Sequence, residues 1–226
     1  MIKHSIGIIG LDGVGKTSYI VAMAHALLEG MRLGDELFFS ALSDNYLQMI
    51  YFNKSWYNIC SRQWPGGTVE GHTFDFSCFV NFRTNFEFDI YDYRGGALYG
   101  GIDKDDVSER MNLIEMFSRA DTLLCFIDTN DVLKAIEGDL DAYDKIEILQ
   151  WYISEVIKNS EEKVMPPTMF VLTKSDVANN SLLEECKKFV KYTFESLFSL
   201  ETDLEVGIAA VSLGNCQPMA DSKGYL

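Results

Sequence analysis

Gly10-Leu11-Asp12-Gly13-Val14-Gly15-Lys16-Thr17 is the stretch whose reading decides the fold. It matches the pattern G-x-x-x-x-G-K-[ST] at every fixed position and stands between two contrasting neighbours. Before it, Ile6-Gly7-Ile8-Ile9 is a short apolar run that reads as a buried strand. After it, Thr17 to Leu28 is rich in Ala, Met, Leu and Ile, with Gly30 as a stop, and reads as a helix. A strand that enters a glycine loop and leaves as a helix makes an anion cradle. Loop amides, those of Asp12, Gly13, Val14 and Gly15 among them, turn inward toward phosphate oxygens. The helix start, Lys16 to Ser18, adds the positive end of its dipole. Lys16 reaches the terminal phosphates, and the Thr17 hydroxyl ligates Mg²⁺.

Working outward, a second helix is expected over about 44–60, before the breaker cluster Trp64-Pro65-Gly66-Gly67. Phe74, Phe76, Cys78, Val80 and Phe82 then alternate with polar or neutral residues. Phe86-Glu87-Phe88-Asp89-Ile90-Tyr91 alternates again after Arg83-Thr84-Asn85. Two period-2 runs around a polar turn predict an antiparallel hairpin. The second run closes on Asp92-Tyr93-Arg94-Gly95. A carboxylate at a strand end can hold a water of a Mg²⁺ shell, and Gly95 leaves its N–H able to approach a phosphate.

Further along, helices are expected over about 107–119, 143–158 and 181–200. The last is started by a Ser181/Glu184 capping box. Leu123–Ile127, Thr168–Leu172 and Val206–Val211 are continuous apolar runs between helices, the signature of parallel strands covered on both faces. The expected fold is α/β: a three-layer P-loop NTPase sandwich, mostly parallel, with one antiparallel edge hairpin. It forms a single domain over 1–226, with a helical insertion around 33–63 and a tail, 215–226, that shows no clear final helix.

Thr173-Lys174-Ser175-Asp176 follows the 168–172 run. Guanine presents N1–H and N2–H₂ as adjacent donors, and the Asp176 carboxylate can accept both; adenine offers no such pair. The Lys174 stem can lie along the base, with Thr173 at the strand end. Ser212-Leu213-Gly214 follows the last run and offers a backbone N–H to the guanine carbonyl. An ordinary strand-end turn is the competing reading of that tripeptide.

The order GLDGVGKT, DYRG, TKSD, VSLG resembles the TRAFAC-class GTPases, and specifically a Ras-like small GTPase domain, over roughly residues 5–214. The first loop is also similar to Arf-type loops, and the long segment before the hairpin resembles the double-GTPases of bacterial conflict systems. The resemblance implies GTP as substrate, GDP as product, Mg²⁺ as cofactor, two γ-phosphate-sensing switch loops, and a protein effector and an activating partner. It implies a metal set of Thr17, Asp92 and a switch threonine. Thr68 stands at that threonine's place, with Thr73 as runner-up. It also implies a catalytic group of Lys16, Thr68 and Gly95, to which Arg94 (better placed than Arg62) adds a candidate arginine finger acting in cis.

One departure bears on rate: Gly96 stands where many members carry a water-positioning Gln. Slow intrinsic hydrolysis is the expectation. A GTP-dependent scaffold with negligible hydrolysis is the alternative, and an ATP-using P-loop enzyme a third reading that Asp176 argues against.

The composition is consistent with this reading. The 226 residues carry a net charge of −15 and a pI near 4.5. That surface repels nucleic-acid backbones and gives no basic patch to an anionic membrane. No apolar run is long enough for direct membrane insertion. The Met1-Ile2 start lacks a myristoylation glycine, and the C-terminal residues lack a prenylation Cys. Five scattered cysteines without a Cys-x-x-Cys pair fit a reducing, cytoplasmic location. His4, His25 and His72 lack ligand spacing, and the acidic run Asp103, Asp105, Asp106 reads as a solvated helix start.

Overall fold

The structure, a computed structural model, describes residues 2–34, 36–66, 71–98, 104–160, 166–198 and 205–213. Backbone contacts divide the chain into two compact units. One comprises Met1–Ile6, Lys16–Tyr93 and Leu213–Leu226; the other comprises Gly7–Gly15 and Arg94–Ser212. The switch candidate Thr68, Gly214 and the tail lie outside the described residues.

Strand β1 (Lys3–Ile9) belongs to the first unit up to Ile6, and in that unit helix α1 (Lys16–Glu29) follows the glycine loop. Two strands come next, β2 (Met31–Leu33) and β3 (Leu37–Leu42), and then helix α2 (Tyr46–Cys60). The 33–63 segment thus opens on a strand before it becomes a helix. Gly30, at φ 79°, turns the chain out of α1, and the aromatic run Phe38-Phe39 favours extended backbone. Asn45 caps α2, its side chain accepting from the amides of Leu47 and Gln48.

Strands β4 (His72–Val80) and β5 (Arg83–Asp92) form the expected hairpin. Its turn is Asn81-Phe82, both at positive φ (47° and 64°), not Arg83-Thr84-Asn85. Asn tolerates the left-handed region, and the twist of such a turn matches that of the strands. Asn81 also clasps the neighbouring strand: its N–H donates to Phe38 O and its Oδ1 accepts from Phe38 N, both at 2.8 Å. Pairing of β3 with β4 and of β2 with β3 widens the antiparallel portion by two strands.

The hairpin has one apolar face. Phe74, Phe76, Cys78, Phe88 and Ile90 are buried. Phe52 of α2 packs there, its ring 4.9 Å from Phe74 and 5.6 Å from Phe76. Each such ring contributes about 1.5–3 kcal/mol on leaving water. On the opposite face Lys3 bridges Asp75 and Asp89 at 2.8 and 3.1 Å, and those carboxylates push its ammonium pKa upward.

In the second unit, α3 (Lys104–Ser118) leads to β6 (Thr122–Asp128), then α4 (Thr129–Ile136), α5 (Leu140–Asn159), β7 (Thr168–Thr173), α6 (Asn180–Thr193), α7 (Glu195–Phe198) and β8 (Val206–Ala210). Successive residues Cys125-Phe126-Ile127-Asp128 and Phe170-Val171-Leu172-Thr173 are all buried, so β6 and β7 are covered on both faces. They pair in parallel, Asp128 opposite Thr173, and β7 pairs in parallel with β8. The cap of α6 is Asn179, which accepts from Leu182 N at 3.0 Å, rather than Ser181. Glu184 instead pairs with Lys187 at 2.7 Å. The helix stops at Thr193 and restarts as the short α7, so it does not run unbroken toward 200.

Among the described residues, eight strands and seven α-helices form a mixed α/β fold, with strand order β2-β3-β4-β5-β1-β6-β7-β8. The expected class holds, with an antiparallel end larger than one hairpin. No described helix is long and apolar enough to cross a membrane.

Candidate nucleotide site

The glycine loop joins β1 to α1, and its glycines have separable physical reasons. A Cβ on Gly10 would lie 2.9 Å from Val14 Cγ2 and 3.0 Å from Phe126 Cβ, closer than side chains pack. Gly13 and Gly15 adopt φ of 73° and 92°, which L-residues seldom reach. Asp12 Oδ1 accepts from Gly13 N at 3.0 Å.

In the first unit, α1 begins with Lys16 and Thr17. Thr17 Oγ1 donates to Asp92 Oδ2 at 2.9 Å. Asp92 is the last residue of β5, and the strand's period of two puts it on the buried face with Phe88 and Ile90, 2 % exposed. A buried carboxylate is costly without a cation or donors. A hydroxyl in direct contact with a carboxylate is an all-oxygen donor pair, which suits a hard divalent ion. The residues therefore fit Mg²⁺, with Thr17 and Asp92 as the groups that would hold it or its waters. Among the described residues no group of three or more His, Cys, Asp or Glu side chains is gathered for a metal.

Two further side chains reach this corner that the sequence reading did not single out. Lys16 is buried, and its Nζ lies 4.7 Å above the centroid of the Tyr93 ring, which is 1 % exposed. Tyr51 of α2 has its phenol pKa raised, first by burial and then by the charge of Asp92. Tyr93 had a signal in the sequence: it follows the strand-end carboxylate directly. Tyr51 had none, because only the packing of α2 brings it near.

In the second unit, β7 ends at Thr173, whose Oγ1 donates to Ile127 O at 3.2 Å and whose carbonyl accepts from Thr129 Oγ1 at 2.6 Å. Lys174 then takes up left-handed backbone (φ 53°), and Ser175–Val177 forms a 3-10 turn. Its Nζ donates to Gly13 O at 2.8 Å and to Asp128 Oδ2 at 2.5 Å. The exposed Asp176 accepts from Ser212 Oγ at 2.6 Å. The main chain supports this turn, with Ser175 N donating to Val211 O at 3.1 Å and Val211 N to Leu172 O at 2.8 Å. Two hydrogen-bonded sets thus meet this turn: Lys174 with Gly13 and Asp128, and Asp176 with Ser212. Asp128 was missed. Its signal was the same as Asp92's, a carboxylate closing an apolar strand.

Arg94 Nη2 pairs with Glu109 Oε2 of α3 at 2.9 Å. Gly95–Ala97 is a 3-10 turn, and Leu98 O accepts from the buried Tyr152 hydroxyl at 2.7 Å. A Cβ added at Gly96 would meet nothing within 4 Å.

No protein-family model matches the chain, and no curated protein sequence does. The solved structures similar to it include two elongation factors and a small GTPase. A bacterial selenocysteine-specific elongation factor, EF-Sec, gives a TM-score of 0.49 at 16 % identity, covering 94 % of this chain and 26 % of that one. The elongation factor SelB from Methanococcus maripaludis, in complex with the GTP analogue GppNHp, gives 0.44 at 16 %, covering 94 % and 30 %. An ADP-ribosylation-factor-like GTP-binding protein, the small COPII coat GTPase of Encephalitozoon cuniculi, in complex with GDP, gives 0.42 at 12 %, covering 92 % and 69 %. The chain therefore spans between a quarter and a third of the length of the two elongation factors it resembles.

Proposed function

We propose that this chain binds a guanine nucleotide with Mg²⁺ and hydrolyses GTP slowly, as a switch between two states. The observation that carries the reading is the Lys174 Nζ–Gly13 O hydrogen bond of 2.8 Å, which ties the base-reading turn to the phosphate loop. A loop that only turned the chain would not need a lysine from the end of β7 to hold its carbonyl.

In this reading the loop amides and Lys16 hold the β- and γ-phosphates. Asp176, oriented by Ser212, accepts from N1–H and N2–H₂ of guanine, while a backbone N–H at Ser212 or Leu213 meets its carbonyl. Thr17 and Asp92 hold Mg²⁺, which supplies further charge cancellation across the phosphates. Thr68, outside the described residues, is the switch threonine that completes this set.

The chain's own part in hydrolysis is charge cancellation and alignment. Lys16 offsets the charge that grows on the leaving phosphate. The Gly95 amide fixes one γ-oxygen. No side chain at Gly96 orients the attacking water, and Arg94 is engaged by Glu109. Both features support slow turnover, at or below about 10⁻³ s⁻¹ for the isolated protein, and an activating partner that supplies what is missing. They equally support the second reading, a GTP-dependent scaffold that barely hydrolyses.

The decisive experiment is the nucleotide bound by purified protein, together with its selectivity. GTP and GDP should displace a fluorescent GDP analogue, and ATP should not. Asp176→Asn should lower GTP affinity and favour xanthosine triphosphate, whose base has a carbonyl in place of the amino group. Equal displacement by ATP and GTP would refute the guanine reading. Single-turnover hydrolysis separates switch from scaffold.

A further inference from the structure

Tyr93 lies between the carboxylate of Asp92 and the guanidinium of Arg94, yet its ring does something neither neighbour does. Its face lies 4.7 Å below the Lys16 ammonium. The ring is 1 % exposed and Lys16 is 6 % exposed. Cation–π attraction operates within about 6 Å of the ring centroid and is strongest where water is excluded. A lysine with four rotatable bonds loses much side-chain entropy when it is fixed. A ring face already beneath the ammonium bears that cost before any phosphate arrives.

We propose that Tyr93 is the positioning residue for Lys16. Its ring face holds the ammonium ready for phosphate, and so sets the affinity of the loop for nucleotides. The proposal rests on the guanine-nucleotide reading for what Lys16 receives. The contact itself stands independently of that reading. The ammonium has three N–H donors, so one side can stay against the ring while the others turn to phosphate oxygens. The role belongs to the aromatic face and not to the hydroxyl.

The test uses the full chain with Tyr93→Leu, Tyr93→Phe and fluorinated analogues of that phenylalanine. Fluorination drains the negative face of the ring and changes its size little. Affinity for a fluorescent GTP analogue should fall about tenfold in Tyr93→Leu, be rescued by Tyr93→Phe, and fall stepwise with each added fluorine. A role in packing alone would leave the fluorine series flat, and a flat series overturns the proposal.

The second readout needs no ligand. In urea denaturation of nucleotide-free protein, Tyr93→Leu should shift the unfolding equilibrium about tenfold more in the wild-type background than in Lys16→Met. Equal shifts in both backgrounds overturn the contact. If wild-type protein binds no nucleotide, the guanine reading fails, and this coupling alone decides whether Tyr93 holds Lys16.

Discussion

The hydroxyl of Ser212 donates to Oδ1 of Asp176 at 2.6 Å, joining two residues 36 positions apart in the chain. One carboxylate oxygen is thereby oriented by the protein. Asp176 accepts better when its plane is fixed than when it rotates in solvent. Ser212→Ala should weaken GDP and GTP binding equally, by about 1 kcal/mol or roughly fivefold, without changing the preference for guanine over xanthine. Competition of each nucleotide against a fluorescent analogue checks both statements.

Lys174 bridges Gly13 O and the buried carboxylate of Asp128. Removing the ammonium leaves Asp128 without its cation, while its amide donor, Asn130 N at 2.9 Å, remains. Lys174 is half-exposed, so the loss is small for a buried charge. Lys174→Met should lower stability by about 1 kcal/mol in urea denaturation of nucleotide-free protein. It should also lower nucleotide affinity, because the loop carbonyl it fixed is released. An unchanged affinity would show that this bond does not order the loop.

Gly96 has open space at its Cβ position and no left-handed φ to strain a side chain. Gly96→Gln should therefore fold normally and raise the single-turnover rate of GTP hydrolysis by tenfold or more, by supplying a group to orient the water. Glu109→Gln tests the other absent element. It frees Arg94 from its 2.9 Å ion pair and should raise the rate only if that arginine works in cis. If Arg94→Ala then abolishes the gain, the guanidinium is the acting group. A rise in neither variant favours the scaffold.

His25 of α1 stacks on Trp56 of α2 at 4.6 Å, and burial lowers its pKa below the ordinary value of 6.5, with Glu29 at 3.5 Å opposing. The folded state thus prefers the neutral ring. The unfolded chain binds a proton first as pH falls, so stability declines from near pH 6.5 down to the folded pKa, and this contribution is flat below it. His25→Phe should retain the stack and flatten that portion of the curve. Urea midpoints of both proteins between pH 7.5 and 5 measure the difference.

Much of the layout could be read from residue order, and the unread parts have identifiable causes. The β1–loop–α1 unit was legible because glycine spacing and the switch from a buried run to an Ala-rich helix are local signals. β2 and β3 were not: Met31–Leu33 and Leu37–Leu42 are too short for a period to register, and their pairing is non-local. The Asn81-Phe82 turn was hidden by Phe82, an aromatic that continues the alternation; it is 80 % exposed and stacks on Phe38 at 4.9 Å. At the site, Asp92 was legible as a strand end, whereas the engagement of Arg94 by Glu109 depends on the docking of α3.

The clasp of Asn81 on Phe38 has a consequence far from the turn it closes. Cross-strand pairing runs from Val80–Arg83 at the tip to His72–Asp92 at the other end, with one bulge at Cys78/Phe79. A slip of one residue would exchange the two faces of β5. Asp92 would leave Thr17 for the face where Lys3 now holds Asp89, and Asp89 would turn inward in its place. The hairpin tip is thus an indexing pin for the carboxylate proposed to hold the metal. In a mutational scan for function, Asn81 should score beside Thr17 and Asp92, although it would touch neither the nucleotide nor the ion.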